Sequence, residues 1–197
     1  MEANLAAPTW LDEIRGANRS FRRRIMPAAL PVARAPCPYG VITCMDPRVN
    51  LEALGIPGFT AAGAGRSQVR VIRTIGAMAE ARSLVIGTFL AGFKEVALVM
   101  HSDCGCCLAH AKIDTIVEAM GARLGPGKFA AMKARLGEPF RTKLRAWLKA
   151  FEDPREAVRR EIAALRAEPF IPADLVLHGL VYELATGKLE VVVDGYR

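Results

Sequence analysis

Residues 41–50 read VITCMDPRVN, an apolar run that ends on a cysteine, an aspartate and an arginine at alternate positions. In an extended chain alternate residues share a face, so Cys44, Asp46 and Arg48 can point into one cleft. YGVIT (39–43) has the composition of a buried strand and runs straight into Cys44. Two further strands are predicted downstream. QVRVIRT (68–74) alternates valine and isoleucine with polar residues, and EVALVM (95–100) leads directly to His101. Between them, MAEARSLVIGTFLAG (78–92) is long enough for a helix that stops at Gly92. Strand, helix and strand joined by short links predict an α/β domain around a mainly parallel central sheet flanked by helices.

The remaining segments fit around that sheet. DLVLHGLVYELATGKLEVVV (174–193) reads as two strands turning at Thr186–Gly187, a C-terminal hairpin that adds an antiparallel edge. Residues 108 to about 167 have a helical pattern interrupted at Gly125–Gly127, Gly137–Pro139 and Asp153–Pro154. Aspartate just before proline in DPREAVRREIAALRAEPF is a helix start. Near the N-terminus, Trp10, Ile14, Ala17 and Phe21 recur at helical spacing over residues 9–24, with Thr9 placed to cap and Asp12 three residues on. ALPVARAPCP (29–38) predicts an extended connector, and the glycines and prolines of 55–66 predict a loop. No repeat or low-complexity tract is present.

Composition narrows the function classes. Hydrophobic residues make up 52% and charged residues 24% of the 197, an ordinary globular balance for one domain with a full core. No apolar run approaches the roughly 20 residues that span a bilayer, so no membrane partner is expected. The start, MEANLAAPTWLDEIR, has no basic stretch followed by an apolar core, which predicts no secretory signal and a cytoplasmic protein. The net charge of +7 invites a nucleic-acid reading. Much of it lies in FRRR (21–24) and in 128–166, where Lys and Arg interleave with Glu as on a solvated helical face. No zinc-finger spacing or aromatic–basic strand motif accompanies it, so no nucleic-acid partner is expected.

The five cysteines are Cys37, Cys44, Cys104, Cys106 and Cys107, three of them within four residues. An odd number without a secretory signal argues for metal or thiol chemistry over a disulfide framework. HSDCGCC places His101 and Cys104 just beyond the strand 95–100, and Cys44 ends another strand. Two thiolates and one imidazole make a known catalytic zinc set with a fourth position open to water. The competing reading takes Cys44 as a small buried hydrophobe and His101 as a hydrogen-bonded strand-end histidine. Joint placement with Asp46 and Arg48 favours the metal. In sheets of this kind ligands bind beyond the carboxyl ends of the strands, where both clusters fall. Cys104 and Cys107 also form a C-x-x-C, which keeps a dithiol redox reading open.

These landmarks resemble the β-class carbonic anhydrases. The likeness rests on C-x-D-x-R as Cys44-Met45-Asp46-Pro47-Arg48 and H-x-x-C-G as His101-Ser102-Asp103-Cys104-Gly105. VIRTIG (71–76) looks like a drifted form of the family's arginine–asparagine–alanine–glycine stretch, and HGLVYELATGKLEVV is similar to its last strand pair. The resemblance covers about residues 40 to 193. It implies one Zn²⁺ per chain held by Cys44, His101 and Cys104, and hydration of carbon dioxide to bicarbonate by zinc-bound hydroxide. A carboxylate accepting the water's hydrogen bond would orient the attacking lone pair, which gives Asp46 a catalytic role. Arg48 would hold Asp46 ionised and away from the metal. The resemblance further implies a homodimer or higher homo-oligomer, embraced by an N-terminal helical arm (1–35) extending from the zinc-binding α/β core (36–197).

Departures from the pattern fall around the expected substrate pocket. Thr74 and Ile75 stand where the family has asparagine and alanine, followed by Gly76, and Cys106 replaces an apolar residue after Gly105. Thr74, Ile75, Gly76, Gly105 and Cys106 are therefore expected to line the pocket. Relatives with similar ligands hydrolyse carbonyl sulfide or carbon disulfide, so that activity is the alternative, and a zinc-binding inactive relative is another. His110 is expected on a helix surface and His178 in a structural role.

Overall fold

The structure is a computed structural model that describes residues 9–24, 37–55 and 69–197. The chain divides into two units, Met1–Ala35 with Pro57–Ser67, and Pro36–Ile56 with Gln68–Arg197. The described part of the first unit is helix α1 (Trp10–Arg24), which buries none of its residues. Its start is capped as the sequence predicts. Thr9 Oγ1 and Asp12 exchange hydrogen bonds at 2.7 and 3.3 Å, satisfying amides that the first turn would otherwise leave open. Except for Gly55 and residues 37–38, the expected loop over 55–66 and connector over 29–38 lie outside the described residues.

The second unit is built on a five-stranded sheet in the order β2-β1-β3-β4-β5. Strands β1 (Tyr39–Cys44), β2 (Val69–Thr74), β3 (Glu95–His101) and β4 (Val176–Tyr182) are parallel, and β5 (Leu189–Val193) closes the edge antiparallel to β4. This is the expected mainly parallel α/β sheet with its C-terminal hairpin. The turn of that hairpin is closed by Glu183 N–H to Lys188 O and Gly187 N–H to Glu183 O. β1 and β3 are mostly apolar and buried along most of their length, as central strands of a parallel sheet are. Ile42, Leu98, Val99 and Met100 are fully enclosed. Burial of each such side chain contributes about 1.5–3 kcal/mol relative to exposure. Thr43, also enclosed, donates its hydroxyl to Val99 O at 3.0 Å across the β1–β3 pair.

The helices differ in detail from the sequence pattern. Residues 78–80 are extended, α2 covers Ala81–Ile86, and Gly87–Ala91 widens into a π-turn ending at Gly92. A side chain at Gly87 would place its Cβ 2.2 Å from the Phe93 ring, which also presses on Gly40 of β1. That close approach of helix, ring and strand is what the absence of a Cβ permits. Beyond β3 run α3 (Gly105–Ala111), α4 (Ile113–Leu136), α5 (Phe140–Trp147) and α6 (Pro154–Ala167). α4 breaks at Gly125, where φ is 75°, and Pro126 follows. The expected interruption is therefore a kink. α6 is capped by Asp153, whose carboxylate accepts from Arg155 N–H at 2.8 Å, with Pro154 at its first position. α6 buries Ala157, Val158, Ile162 and Leu165. α4 and α5 share a separate small core of Ile113, Phe140 and Leu144.

Candidate metal centre

Because β1 and β3 are parallel neighbours with Thr43 opposite Val99, they deliver Cys44 and His101 side by side at the carboxyl edge of the sheet. Cys104 follows three residues later as the N-cap of α3, with an extended backbone that turns the chain into the helix. The result is a buried group of Cys44, His101 and Cys104 whose ligand atoms all lie within 4.8 Å of one another. The two sulfurs are 4.0 Å apart. Tetrahedral zinc with Zn–S bonds of about 2.3 Å holds two sulfurs roughly 3.8 Å apart, so the pair already has the spacing of a zinc chelate.

Two observations suit the group to a cation. His101 Nδ1 lies 2.8 Å from Ser102 O, and a carbonyl only accepts, so Nδ1 carries the proton. The other ring nitrogen, Nε2, is buried without a hydrogen-bond partner. A buried polar atom of this kind calls for a partner. Second, burial pushes the Cys44 thiol pKa up, as does its charge repulsion with Cys104, although Asp46 and Gly76 donate backbone N–H groups to its sulfur. Cys104 is pushed up to about 12, mainly by donating to Cys106 and then by burial. With those values both sulfurs are neutral thiols on their own; a divalent cation between them would displace the protons and offset the repulsion of two thiolates 4.0 Å apart.

Asp46 is not a member of the ligand group. Arg48 holds it with four hydrogen bonds: N–H to Oδ1 at 2.9 Å, Nε to Oδ1 at 3.0 Å and to Oδ2 at 3.2 Å, and Nη2 to Oδ2 at 2.7 Å. The hydrogen bonds from Arg48 lower the Asp46 pKa to about 2, so the carboxylate is ionised at any ordinary pH. Its side chain keeps only 16% of its exposure. Arg48 also reaches the other strand's loop, with Nη1 on Asp103 Oδ2 at 2.7 Å and Nη2 on Asp103 O at 2.9 Å.

Sequence reasoning missed three supports. Asp103 sits at φ 51°, a left-handed conformation that asparagine and aspartate tolerate best, and receives the far side of the Arg48 guanidinium. Arg73 on β2 donates to the carbonyls of Cys44 at 2.9 Å, Asp46 at 3.2 Å and Val49 at 3.1 Å, which fixes the turn that carries Asp46. Ser102 donates to Glu183 at 2.6 Å across to the β4–β5 turn. Only Arg73 carried a signal in the sequence, a charged residue at the end of a strand beside the cluster.

The turn after β2 holds the remaining predicted residues. Thr74 spends its hydroxyl on Met78 O at 2.8 Å, and Ile75 is 52% exposed. Gly76 has φ 58°, and a Cβ there would lie 2.6 Å from Cys106 Sγ and 3.3 Å from the Phe151 ring. Cys106 is buried behind Gly76, whereas Gly105 is exposed with open space where a Cβ would be. Cys107 is half-buried, and burial pushes its thiol up to about 11. That leaves little thiolate for the dithiol chemistry a C-x-x-C would need. His110 faces Glu152 at 3.4 Å on the surface, and His178 accepts from Gly195 N–H at 3.1 Å.

The chain is similar to known carbonic anhydrases and carbon disulfide hydrolases. Beta-carbonic anhydrase 1 of Mycobacterium bovis is 28% identical over 156 residues, covering 77% of this chain and 80% of that protein. A carbon disulfide hydrolase of Acidianus sp. (strain A1-3) is 30% identical over 164 residues, covering 76% of this chain and 74% of that protein. The chain belongs to the β-class carbonic anhydrase family with its carbon disulfide hydrolases. Among solved structures, the carbonic anhydrase of Streptococcus mutans superposes with a TM-score of 0.67 at 26% identity over 95% of this chain and 99% of that one. No protein-family model matches the chain.

Proposed function

We propose that the chain is a zinc enzyme that adds water to a small linear carbon electrophile, with carbon dioxide, giving bicarbonate, as the first substrate. The observation that carries this reading is the buried Cys44–His101–Cys104 group beside a carboxylate that Arg48 keeps out of it. Zinc held by these three residues supplies a Lewis acid that makes water nucleophilic near neutral pH. Asp46 accepts the hydrogen bond of the attacking water and aims its lone pair at the substrate carbon. It can do so only while ionised and clear of the metal, and Arg48 secures both. Arg73 keeps the turn bearing Asp46 from shifting. Thr74, Ile75, Gly76 and Gly105 border the space the substrate takes, with Cys106 packed behind Gly76 and exposed Ile75 offering the apolar surface.

Carbon disulfide or carbonyl sulfide is the second reading, favoured by the 30% identity to a protein named carbon disulfide hydrolase and by Ile75 in place of a smaller residue. The zinc-loaded protein offered carbon dioxide, carbonyl sulfide and carbon disulfide in parallel separates the two. Turnover of carbon dioxide above the sulfur substrates supports the first reading. The reverse ranking supports the second, and no turnover of any of the three overturns both.

The active form is proposed to be a homodimer or larger, with α1 as its contact. Trp10, Leu11 and Ile14 are all exposed on that helix, an apolar stripe that a second copy would cover. Light scattering that finds a stable monomer at micromolar concentration overturns this. None of the five cysteines is in a disulfide, which suits a reducing compartment such as the cytoplasm.

A further inference from the structure

The buried ligand His101 is held in register by a part of the fold far from it in sequence. Its Nδ1–H donates to Ser102 O, and this bond decides that Nε2 is the bare nitrogen facing the two sulfurs. The carbonyl of Ser102 is therefore a fixed point of the site, and the hydrogen bonds around it determine how well it is fixed. Ser102 N–H donates to Tyr182 O at 3.0 Å as the last rung beyond β3 and β4. Ser102 Oγ donates to Glu183 Oε1 at 2.6 Å and accepts from Leu184 N–H at 3.0 Å. Glu183 is itself set in the β4–β5 turn by Ala185 N–H on Oε1 at 3.2 Å and by its own N–H on Lys188 O at 2.8 Å. On the far side of the same peptide, Arg48 grips Asp103 through both its carboxylate and its carbonyl.

We infer that Glu183, acting through Ser102, is a positioning residue for the metal ligand His101. The carboxylate orients the serine hydroxyl, the hydroxyl and backbone lock residue 102, and the locked carbonyl holds the imidazole. Partners that orient a ligating histidine typically govern metal affinity by about 10–100-fold. Glu183 lies 81 residues beyond Ser102 on the antiparallel hairpin, so the hairpin does more than close the edge of the sheet. This inference rests on the zinc reading of the centre.

The test is the rate at which zinc-loaded protein gives up its metal to a chromophoric chelator, read alongside the visible spectrum of the cobalt-substituted protein. Ser102→Ala and Glu183→Ala are expected to release zinc about 10–100-fold faster and to shift the cobalt bands. Ser102→Thr keeps the hydroxyl and Glu183→Gln keeps an acceptor oxygen, so both should stay near wild type. Glu190→Ala supplies the control for a hairpin that is merely loosened. It removes the bonds at 2.7 and 3.1 Å by which Glu190 of β5 ties the hairpin to Arg155 of α6, without touching Ser102, and should leave release unchanged. Wild-type release rates in Ser102→Ala and Glu183→Ala, or equal acceleration by Glu190→Ala, overturn the inference while leaving the zinc centre standing. A wild-type chain that takes up no zinc overturns the zinc centre and this inference together.

Discussion

At the end of β1, Arg48 makes four hydrogen bonds to Asp46, while at the end of β2 next to it Thr74 turns its hydroxyl inward to Met78 O and Ile75 stands exposed. The two ends are neighbours in the sheet, with Cys44 opposite Thr74. They are constrained in different ways. At β1 the side-chain chemistry is fixed, because only a carboxylate against a guanidinium gives an ionised acceptor that stays off the metal. At β2 the backbone path is fixed: Gly76 sits at φ 58° with Cys106, Met78 and Phe151 packed where a side chain would go, and Ala77 also has φ 58°. A turn held by shape tolerates new side chains on its outer surface, whereas the Asp46–Arg48 pair tolerates no change of chemistry.

Substitutions can break this contrast. The largest effect is expected from Cys44→Ser or Cys104→Ser, which remove a thiolate from a buried three-ligand set. Metal analysis of the purified variants should find zinc lost along with turnover, and full zinc occupancy in both would remove the basis for the ligand assignment. Asp46→Asn should keep zinc and lower turnover by about 10²–10³-fold, because an amide can present its NH₂ where an acceptor is needed. Steady-state rates with zinc content measured on the same sample check this.

Gly76→Ala acts on shape alone. The new Cβ meets Cys106 Sγ at 2.6 Å at a backbone angle that disfavours any L side chain. A loss of about 1–3 kcal/mol is expected in urea unfolding. Adding Cys106→Ala should restore part of it by removing the clash but not the backbone strain. If Gly76→Ala alone costs nothing, the turn is not shape-limited. The smallest effect is expected from Ile75→Ala, which should leave zinc content and stability near wild type. It should change the ratio of carbon dioxide to carbonyl sulfide turnover by roughly tenfold, the scale of a small apolar change in a pocket. An unchanged ratio would take Ile75 out of the pocket.

Legibility in the sequence follows the same division. The strands at 39–44, 69–74 and 95–101 were readable because a covered parallel sheet needs uninterrupted apolar runs, and Cys44, Asp46 and Arg48 because an extended chain puts alternate residues together. Asp153–Pro154 marked α6 through its cap. The α2 start was read three residues early because residues 78–80 have helical composition, whereas Met78 spends its carbonyl on Thr74. Arg73, Asp103, Ser102 and Glu183 went unread as supports for a common reason. Their partners are backbone carbonyls or side chains 24 to 81 residues away, and such bonds leave no periodicity or spacing.

In the proposed centre, two cysteines and one histidine hold zinc, and Arg48 clamps Asp46 outside its shell. X-ray absorption at the zinc edge of the loaded wild-type protein tests it most directly. Two sulfur scatterers at about 2.3 Å and two nitrogen or oxygen scatterers at about 2.0 Å are expected, one of the latter from His101 and one from solvent. An unchanged shell is expected in Asp46→Asn. A shell with fewer than two sulfurs, or one that loses an oxygen when Asp46 is replaced, would contradict it.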